Sequence, residues 1–325
     1  VLIAVLAVVM IFALGAKGDD YGNGSVPLGY SAVVYDDQYT YFLSETETWE
    51  PCIKRVSNDL RGKPEILYEA EEIKGDGWSQ YPMGCIFLWN EKICFIEITK
   101  ATEQGNDEYE IHWLSKNGKE NGTLVSYEQL NTHGDLLSQM EGAYFFNDYL
   151  IFGNRFSFYR LDLNTGELCK QEDFLDLEGP ACFVAYNDGY YYYLVPDIEN
   201  SEEEVIGRVP SQDDDDMEKY FSFISKEDYL YYADLDNIYR LNIEDGNTET
   251  LASYDDDVYN RFCLSENGLY YYKDMTLHFL NTETLEETIF DEVEGIPNLI
   301  YAGADDACWM QGDATSHRYN CFRPD

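Results

Sequence analysis

The chain has 325 residues, of which 63 are acidic and 21 are basic, so its formal net charge is −42. A field of this sign repels nucleic acid and anionic lipid headgroups, which excludes both as partners of the chain's charged surface. A hydrophobic content of 45% excludes a disordered chain, and 29 tyrosines favour half-buried strands over helices.

The first predicted element is an uninterrupted apolar stretch, residues 1–15, which reads VLIAVLAVVMIFALG. Its length suits the apolar region of a signal peptide and is short for a membrane span of about 20 residues, unless residues upstream of Val1 complete one. We predict that residues 1–16 form one hydrophobic helix, either a signal peptide or a membrane anchor, and that residues 17–28 are a linker. The rest of the chain is then extracellular or at the cell surface, secreted or anchored through this segment only.

From residue 29 onward the chain repeats one scheme seven times. Tight turns rich in Asn, Asp and Gly separate two apolar strands, and their centres lie at residues 37, 91, 148, 188, 227, 267 and 305. These residue types tolerate the positive φ that hairpin turns need. The last four intervals are 38 to 40 residues, and the first two, of 54 and 57 residues, have their extra length in loops.

A third strand follows each hairpin. It reads IKRVS (53–57), IHWLS (111–115), FYRLD (158–162), IGRVP (206–210), IYRLN (238–242) and LHFLN (277–281), with a weaker seventh copy, HRYNC (317–321). An arginine recurs in the same position at Arg55, Arg160, Arg208 and Arg240, and we expect it to pair with an acid on the neighbouring strand. A second turn, such as NTG (164–166) or EDG (244–246), then leads to a fourth strand, such as residues 248–252.

Four antiparallel strands in about 40 residues are typical of one blade of a β-propeller. A single four-stranded sheet cannot cover both of its own faces, whereas a ring of such sheets buries them all. The sequence therefore predicts an all-β fold, a propeller of seven four-stranded blades over residues 29–325. The seventh unit stops before its fourth strand, so either the segment 21–29 closes the ring or the chain is truncated.

One unit carries a family resemblance. The stretch Tyr231-Tyr232-Ala233-Asp234, followed by IYRLNIEDG, resembles the YWTD repeat of low-density-lipoprotein-receptor propellers, and residues 190–197 and 270–274 are looser copies. The whole chain resembles exported bacterial proteins that carry receptor-like propellers of this kind. The resemblance implies the fold over residues 29 to 325. It does not imply receptor-type ligand binding, because the strict tetrapeptide is absent from the sequence.

The connections divide into two groups that open on opposite faces of a propeller. The turns between strands one and two and between strands three and four are short, and we name their side the turn face. The connections between strands two and three and between blades are long and acidic, for example residues 44–51, 69–84, 196–204, 211–220, 254–261 and 291–298. We name their side the loop face, and we expect binding there because long loops on a rigid scaffold usually carry it.

The candidate binding residues all lie in these loops. They are Trp49, Trp78, Tyr81, Asp213, Asp214, Asp215, Asp255, Asp256 and Asp257. Exposed aromatic residues among acids suit a cationic peptide, a glycan or a protein surface. Ca²⁺ is the one cofactor indicated, with Asp213, Asp215, Asp255 and Asp257 as candidate ligands, because Ca²⁺ takes about six to eight oxygens. The alternative interpretation is a solvated acidic rim, since no run matches the EF-hand spacing.

The sequence contains no catalytic motif of the hydrolase, metalloprotease or nucleotide-binding kinds. His112 and His278 occupy strand positions in the repeat and are expected to be structural, whereas His133 lies in a loop. Most of the eight cysteines fall in predicted strands and suit buried thiols. A disulfide between Cys308 and Cys321 is an open alternative if the hairpin between them centres near residues 314 and 315.

These observations predict a monomeric, extracytoplasmic, non-catalytic binding module that uses the acidic loop face. Two alternatives remain at this point. One is a propeller-type polysaccharide hydrolase or lyase that uses loop carboxylates, which are too abundant to be informative. The other is the extracellular sensor domain of a membrane signalling protein whose cytoplasmic part lies upstream of Val1.

Overall fold

The computed structural model of the protein describes residues 32–48, 50–59, 63–70, 73–75, 83–101, 108–131, 142–146, 148–153, 158–174, 182–187, 190–194, 222–226, 228–233, 237–254, 262–274, 276–290, 299–311 and 319–322. The predicted hydrophobic helix and linker, residues 1–28, lie outside these ranges. Among the described residues, no helix has the length and apolar character that crossing a membrane requires.

The described strands form seven sheets in chain order, numbered here sheet 1 to sheet 7, and their pairs are antiparallel apart from one short parallel pair in sheet 2. Sheet 1 contains β1 (Val33–Tyr35), β2 (Tyr39–Glu45), β3 (Pro51–Ser57) and β4 (Glu65–Glu69). Sheet 2 contains β5 (Lys74–Gly75), β6 (Met83–Trp89), β7 (Lys92–Ala101), β8 (Glu108–Ser115) and β9 (Asn121–Val125). Sheet 3 contains β10 (Gly142–Phe146), β11 (Tyr149–Gly153), β12 (Phe158–Asp162) and β13 (Leu168–Lys170). Its neighbour, sheet 4, is described as β14 (Cys182–Asn187) and β15 (Tyr190–Leu194).

The second half of the chain continues the pattern. Sheet 5 contains β16 (Ser222–Lys226), β17 (Tyr229–Ala233), β18 (Asn237–Asn242) and β19 (Thr248–Ser253). Sheet 6 contains β20 (Phe262–Leu264), β21 (Gly268–Lys273), β22 (Thr276–Asn281) and β23 (Glu287–Phe290). Sheet 7 is described as β24 (Leu299–Ala302), β25 (Cys308–Gln311) and β26 (Tyr319–Phe322). Two one-turn helices, α1 (Tyr127–Leu130) and α2 (Gln171–Phe174), follow the fourth strands of sheets 2 and 3.

The seven predicted hairpins are confirmed, because the first two strands of every sheet pair with each other across the predicted turn. The predicted positive φ is present at several tips, including Asn90 at 48°, Asp148 at 65° and Asp305 at 51°. The last two strands also pair as expected in sheets 1, 2, 3, 5 and 6. Each of these sheets therefore contains the four expected strands, and sheet 2 contains the short strand β5 in addition. The copy at 206–210, with Arg208, lies outside the described residues.

The sheets pack in a β-propeller arrangement. The first strands of successive sheets lie against one another, β1 on β6, β6 on β10, β14 on β16, β16 on β20 and β20 on β24, as expected for strands nearest a common axis. Sheet 7 also packs on sheet 1, because the Trp309 ring stacks on Phe42 with 5.0 Å between centroids. The first and last units are therefore neighbours.

The cores lie between sheets rather than within them. In β7, Ile93 and Phe95 belong to the cluster shared with sheets 1 and 7, whereas Cys94 and Ile96 belong to the cluster shared with sheet 3. Sheet 6 divides in the same way between clusters shared with sheets 5 and 7. Because successive side chains point to opposite faces of a strand, a continuous apolar run such as ICFI serves two neighbours.

The recurring arginine has one structural role in three sheets. It lies over the ring of the tyrosine that begins the second strand. The Cζ atom of Arg55 is 4.6 Å from the centroid of the Tyr39 ring, and the Cζ atom of Arg240 is 4.7 Å from that of Tyr229. Arg160 is 4.8 Å from its tyrosine, Tyr149. In sheet 2 the two partners exchange positions, and Lys92 lies 4.0 Å from the centroid of Trp113.

The predicted pairing of these arginines with a neighbouring acid is confirmed in two sheets. Arg55 is 2.8 Å from Glu65, and Arg240 is 2.5 Å from Glu249. Each guanidinium also donates to a backbone carbonyl of the next sheet, Arg55 to Lys116 at 2.6 Å and Arg240 to Thr282 at 2.8 Å. The repeated arginine thus joins two strands of its own sheet to the following sheet.

The turns between third and fourth strands use one side-chain device. In sheet 5 the Asn242 Oδ1 accepts the N–H groups of Glu244 and Asp245 at 2.9 and 3.2 Å, and Gly246 closes the turn with φ of 72°. Gly118 and Gly166 have the same φ in sheets 2 and 3. Sheet 6 has Leu285 at this position with φ of 58°, a left-handed conformation that strains a residue with a Cβ.

The register of β25 and β26 places Cys308 opposite Phe322 and Cys321 opposite Trp309, one residue away from the expected pairing of the two cysteines. The disulfide between Cys308 and Cys321 stays a prediction. Free cysteines of the described residues include Cys52 and Cys94, and burial raises the pKa of these thiols to about 11 and about 12.

We expect Leu285→Gly to stabilise the protein by about 0.5–1 kcal/mol, because relief of left-handed strain exceeds the entropy cost of glycine. Urea unfolding measures this change. The matched control is Gly246→Leu, which should destabilise by a similar amount, since no atom lies within 4 Å of a Cβ built on Gly246. A loss of stability in the Leu285→Gly variant would contradict this account.

Arg240→Met should lower the free energy of unfolding by about 1–3 kcal/mol, because it removes a charged hydrogen bond within sheet 5 and another to sheet 6. Arg240→Lys should lose less, since it keeps the charge but not the planar fork. Chemical denaturation compares the three proteins, and a Met variant as stable as the parent would show that the contact between sheets contributes nothing.

Candidate functional site

Polar contacts between neighbouring sheets stabilise the turn face. Between sheets 1 and 2, the Lys116 ammonium lies 3.0 Å from Asp36 and 2.9 Å from Glu91. Between sheets 2 and 3, the Trp89 indole N–H donates to Asp148 at 2.7 Å. These contacts join hairpin tips that the sequence alone shows only as short acidic turns.

Similar contacts occur in the second half of the ring. Lys226 of sheet 5 donates to the Ser265 carbonyl of sheet 6 at 3.1 Å. Asn267 of sheet 6 donates through its backbone and side-chain N–H groups to the Asp306 carboxylate of sheet 7, at 2.8 and 2.6 Å. Several carboxylates of the turn face, among them Asp36, Asp148 and Asp306, are therefore engaged by neighbouring sheets.

Asp36 is one of these carboxylates, and several donor groups contact it. Burial alone disfavours its charge, but the backbone N–H groups of Gln38 and Tyr39 and the Lys116 ammonium outweigh burial and hold the pKa of Asp36 below its usual range. Both backbone groups donate to Oδ1 at 2.9 Å, and the Tyr41 hydroxyl donates to Oδ2 at 3.1 Å. The folded state therefore stabilises the charged form of Asp36.

The loop face differs, because there the structure shows where both ends of a long connection, from sheet 1 to sheet 2, are attached. After β4 ends at Glu69, the chain adds β5 in parallel to β7, with Gly75 opposite Ala101. It then returns as β6, antiparallel to the same strand, with Met83 opposite Glu97. Both anchors lie on the axis-facing edge of β7, so residues 76–82 connect two points on the inner edge of sheet 2 at the loop face.

A cluster of titratable side chains is centred on β7, the strand of sheet 2 that pairs with β5 and β6. Tyr68 of sheet 1 donates its hydroxyl hydrogen to Glu97 Oε2 of sheet 2 at 2.9 Å. The Nδ1 atom of His112 is 3.6 Å from the same carboxylate oxygen, and its Nε2 atom is 3.2 Å from Glu110. The imidazole stacks on Phe95, with 5.7 Å between centroids. The cluster places two carboxylates around one imidazole where sheets 1 and 2 meet.

The repeat-equivalent histidine of sheet 6 has related surroundings. His278 stacks on Tyr271, its Nδ1 lies 3.0 Å from Glu287, and its Nε2 lies 2.8 Å from the Thr276 hydroxyl. The Tyr271 hydroxyl also donates to Glu287, and these hydrogen bonds, with His278 nearby, hold the pKa of Glu287 below its usual range. These partners lie in sheet 6 itself. The structural role expected for His112 and His278 agrees with these contacts.

The acids of these clusters were not singled out in the sequence analysis. Glu97 interrupts the apolar strand KICFIEITKA and is only 4% exposed, so a charged residue at a strand position predicted to be buried was the available signal. Glu110 carried no comparable signal, because it stands in a strand of mixed character. Its importance follows from the register, which places it directly opposite Glu97.

The candidate binding residues of the sequence analysis, Trp49, Trp78, Tyr81, Asp213 to Asp215 and Asp255 to Asp257, all lie outside the described residues, as does His133. The structure places the chain on either side of most of them at the loop-facing ends of strands. Within the described part of the chain, no group of three or more His, Cys, Asp or Glu side chains is arranged to hold a metal ion. The Ca²⁺ site stays a prediction.

Comparison with known proteins identifies the fold. No family model matches the chain, and no curated protein matches it in sequence. Among solved structures, the extracellular domain of BT4673 from B. thetaiotaomicron has a TM-score of 0.54 and 11% identity over 91% of this chain and 40% of that one. PorZ, a surface component of the type-IX secretion system of Porphyromonas gingivalis, has a TM-score of 0.51 and 9% identity over 91% and 37%.

The chain spans about two fifths of the length of each of these structures. At such low identity the likeness shows the fold alone, so the chain is similar to β-propeller domains of extracellular bacterial proteins. The resemblance to YWTD repeats stays a prediction.

Asp36→Asn should destabilise the protein at pH 7, and the difference from the parent should vanish as pH falls. A carboxylate whose pKa is lowered on folding contributes stability that is present above its unfolded pKa, about 3.9, and is lost as pH falls through the folded value. Urea unfolding at pH 7 and near pH 3 measures both limits. Asp37→Asn, at an exposed neighbouring position, is the control, and an equal loss in both variants would contradict a specific role for Asp36.

Proposed function

We propose that the protein is an extracytoplasmic, non-catalytic binding module, a seven-bladed propeller that takes its ligand on the loop face. The observation that carries this proposal is the difference between the two ends of the sheets. At the turn face, carboxylates such as Asp36, Asp148 and Asp306 are engaged by neighbouring sheets. At the loop face, connections of 8 residues or more join successive sheets, for example 254–261 and 291–298. The connections between second and third strands, which were expected to be long, are shorter, with two residues between β21 and β22 and three between β17 and β18.

The blade count of seven rests on the seven hairpins and on the contact of sheet 7 with sheet 1. Strands that would complete sheets 4 and 7 are not among the described residues. A closed ring gives the loop face a rigid floor, which is the arrangement on which long loops usually carry binding.

The proposed ligand is cationic, such as a basic peptide or a basic protein surface, and a glycan is the alternative. The connections on the loop face carry acidic runs, including Asp213 to Asp215 and Asp255 to Asp257. Trp78 and Tyr81 belong to the connection anchored at Gly75 and Met83, close to the axis of the ring. Acids with aromatic residues favour a cation, and Ca²⁺ bound by the same acids would change this preference.

An extracellular sensor domain is the second candidate. It is favoured by the likeness to BT4673, which is described as a two component system, whereas PorZ is described as a secretion-system surface component. In either case residues 1–16 would direct export or hold the chain at the membrane. The reading frame upstream of Val1 separates the two, because a short basic start indicates export alone and a signalling domain indicates a sensor.

The test compares two variants of equal charge. One replaces the loop acids Asp213, Asp214 and Asp215 with Asn, and the other neutralises the exposed turn-face acids Glu244, Asp245 and Glu283. The probe is a fluorescent oligo-arginine peptide, titrated by anisotropy at low and moderate salt. We expect the loop variant to weaken binding about tenfold and the turn-face variant to weaken it less than twofold, since screening limits distant charges.

Equal weakening in both variants would contradict the proposal, because it would mean that the peptide responds to net charge alone. A parallel thermal unfolding experiment with EDTA and with millimolar Ca²⁺ tests the metal. Saturation at 100 times the dissociation constant adds about 2.7 kcal/mol, so a rise with Ca²⁺ but not Mg²⁺ would assign a calcium site.

A further inference from the structure

The junction of sheets 1 and 2 contains two carboxylates in an unfavourable arrangement. Glu97 and Glu110 are directly opposite each other on β7 and β8, and like charges at such positions destabilise a sheet. Their side chains are only 5% and 22% exposed, so water screens them weakly. The group that lies against both is the imidazole of His112.

We propose that His112 is a proton-dependent fastener between sheets 1 and 2. When the ring is protonated, its charge attracts Glu97 and Glu110 together, and the Tyr68 hydroxyl extends the contact from Glu97 to sheet 1. When the ring is neutral, this attraction is lost and the repulsion between the two carboxylates remains. The junction is therefore tight in mild acid and looser in mild base.

The charged and titratable groups that face the imidazole come from three strands. Glu97 is on β7, Glu110 is on β8, and Tyr68 reaches the cluster from β4 through Glu97. The Phe95 ring covers one face of the imidazole, and the Thr123 hydroxyl of β9 donates to Glu110 at 3.2 Å. Imidazoles ordinarily gain a proton near pH 6.5, so pH values on either side of about 6.5 are compared.

The consequence for binding rests on the proposed function. The connection of residues 70–82 leaves sheet 1 two residues after Tyr68 and rejoins sheet 2 with Met83 opposite Glu97. The fastener thus lies at both ends of the connection that carries Trp78 and Tyr81. Protonation of one half-buried ring would determine how firmly this part of the loop face is held.

Hydrogen exchange of the ligand-free protein tests the proposal. In the parent protein we expect the protection of amides in residues 65–69, corrected for intrinsic rates, to rise about fivefold from pH 8 to pH 5.5. His112→Asn should abolish this rise. His278→Asn is the matched control, since it removes the equivalent ring of sheet 6, and it should leave the rise intact.

The Tyr68→Phe variant tests the contact between sheets 1 and 2 separately from the protonation of His112. This variant keeps the ring of Tyr68 but removes the hydroxyl that reaches Glu97, so the rise in β4 should disappear while the NMR signal of His112 still titrates. Protection of residues 65–69 that is independent of pH in the parent, or a rise that persists in His112→Asn, would overturn the proposal. Because no ligand is used, that result would leave the proposed binding function untouched.

Discussion

The fold depends on one constraint, that a four-stranded sheet with apolar side chains on both faces cannot bury them alone. The consequence is visible in β7, where neighbouring residues Phe95 and Ile96 enter different clusters, one shared with sheets 1 and 7 and the other with sheet 3. Every described sheet is therefore stabilised by its neighbours, and the contact of Trp309 with Phe42 gives the last unit a neighbour as well. Burial at roughly 25 cal/mol per Å² of apolar surface then favours the ring over separate units.

Polar contacts determine how the sheets are aligned once burial has brought them together. Dispersion and the hydrophobic effect have little directional preference, so two sheets could slide on each other at small cost. The charged hydrogen bonds from Arg55 to the Lys116 carbonyl and from Lys116 to Asp36 are directional, and both act at the same end of sheets 1 and 2. Their concentration at the turn face leaves the opposite end to the long connections. The repeat thus gives each sheet a turn face, where neighbouring sheets make polar contacts, and a loop face, where the long connections lie.

The repeat could be predicted from sequence because its signals are local. Hairpin tips, a turn glycine such as Gly246 and an arginine in the third strand recur at fixed spacing, and each reflects backbone geometry within one unit. The contacts between units could not be predicted, since no spacing rule shows that Trp89 meets Asp148, 59 residues away. The pairing of Cys308 differs by one residue from the expected one for a similar reason, because the residues of a long connection do not determine where the hairpin turns. The candidate loop residues remain predictions for the same reason, as their positions depend on contacts outside any repeat.

The two histidine clusters show how one repeat position acquires different roles. His112 and His278 both stack on the aromatic residue directly opposite them and approach a glutamate, so the strand geometry is shared. The difference lies in which sheet supplies the tyrosine that donates to the glutamate. In sheet 6, Tyr271 and Glu287 belong to the sheet of the histidine, and the cluster stabilises that sheet alone. In sheet 2, a tyrosine from the preceding sheet completes the cluster, so a proton there acts on a boundary between units. A repeat protein can couple a chemical change to the relation between its units only at such boundaries, because the interior of each unit is already determined by its own strands.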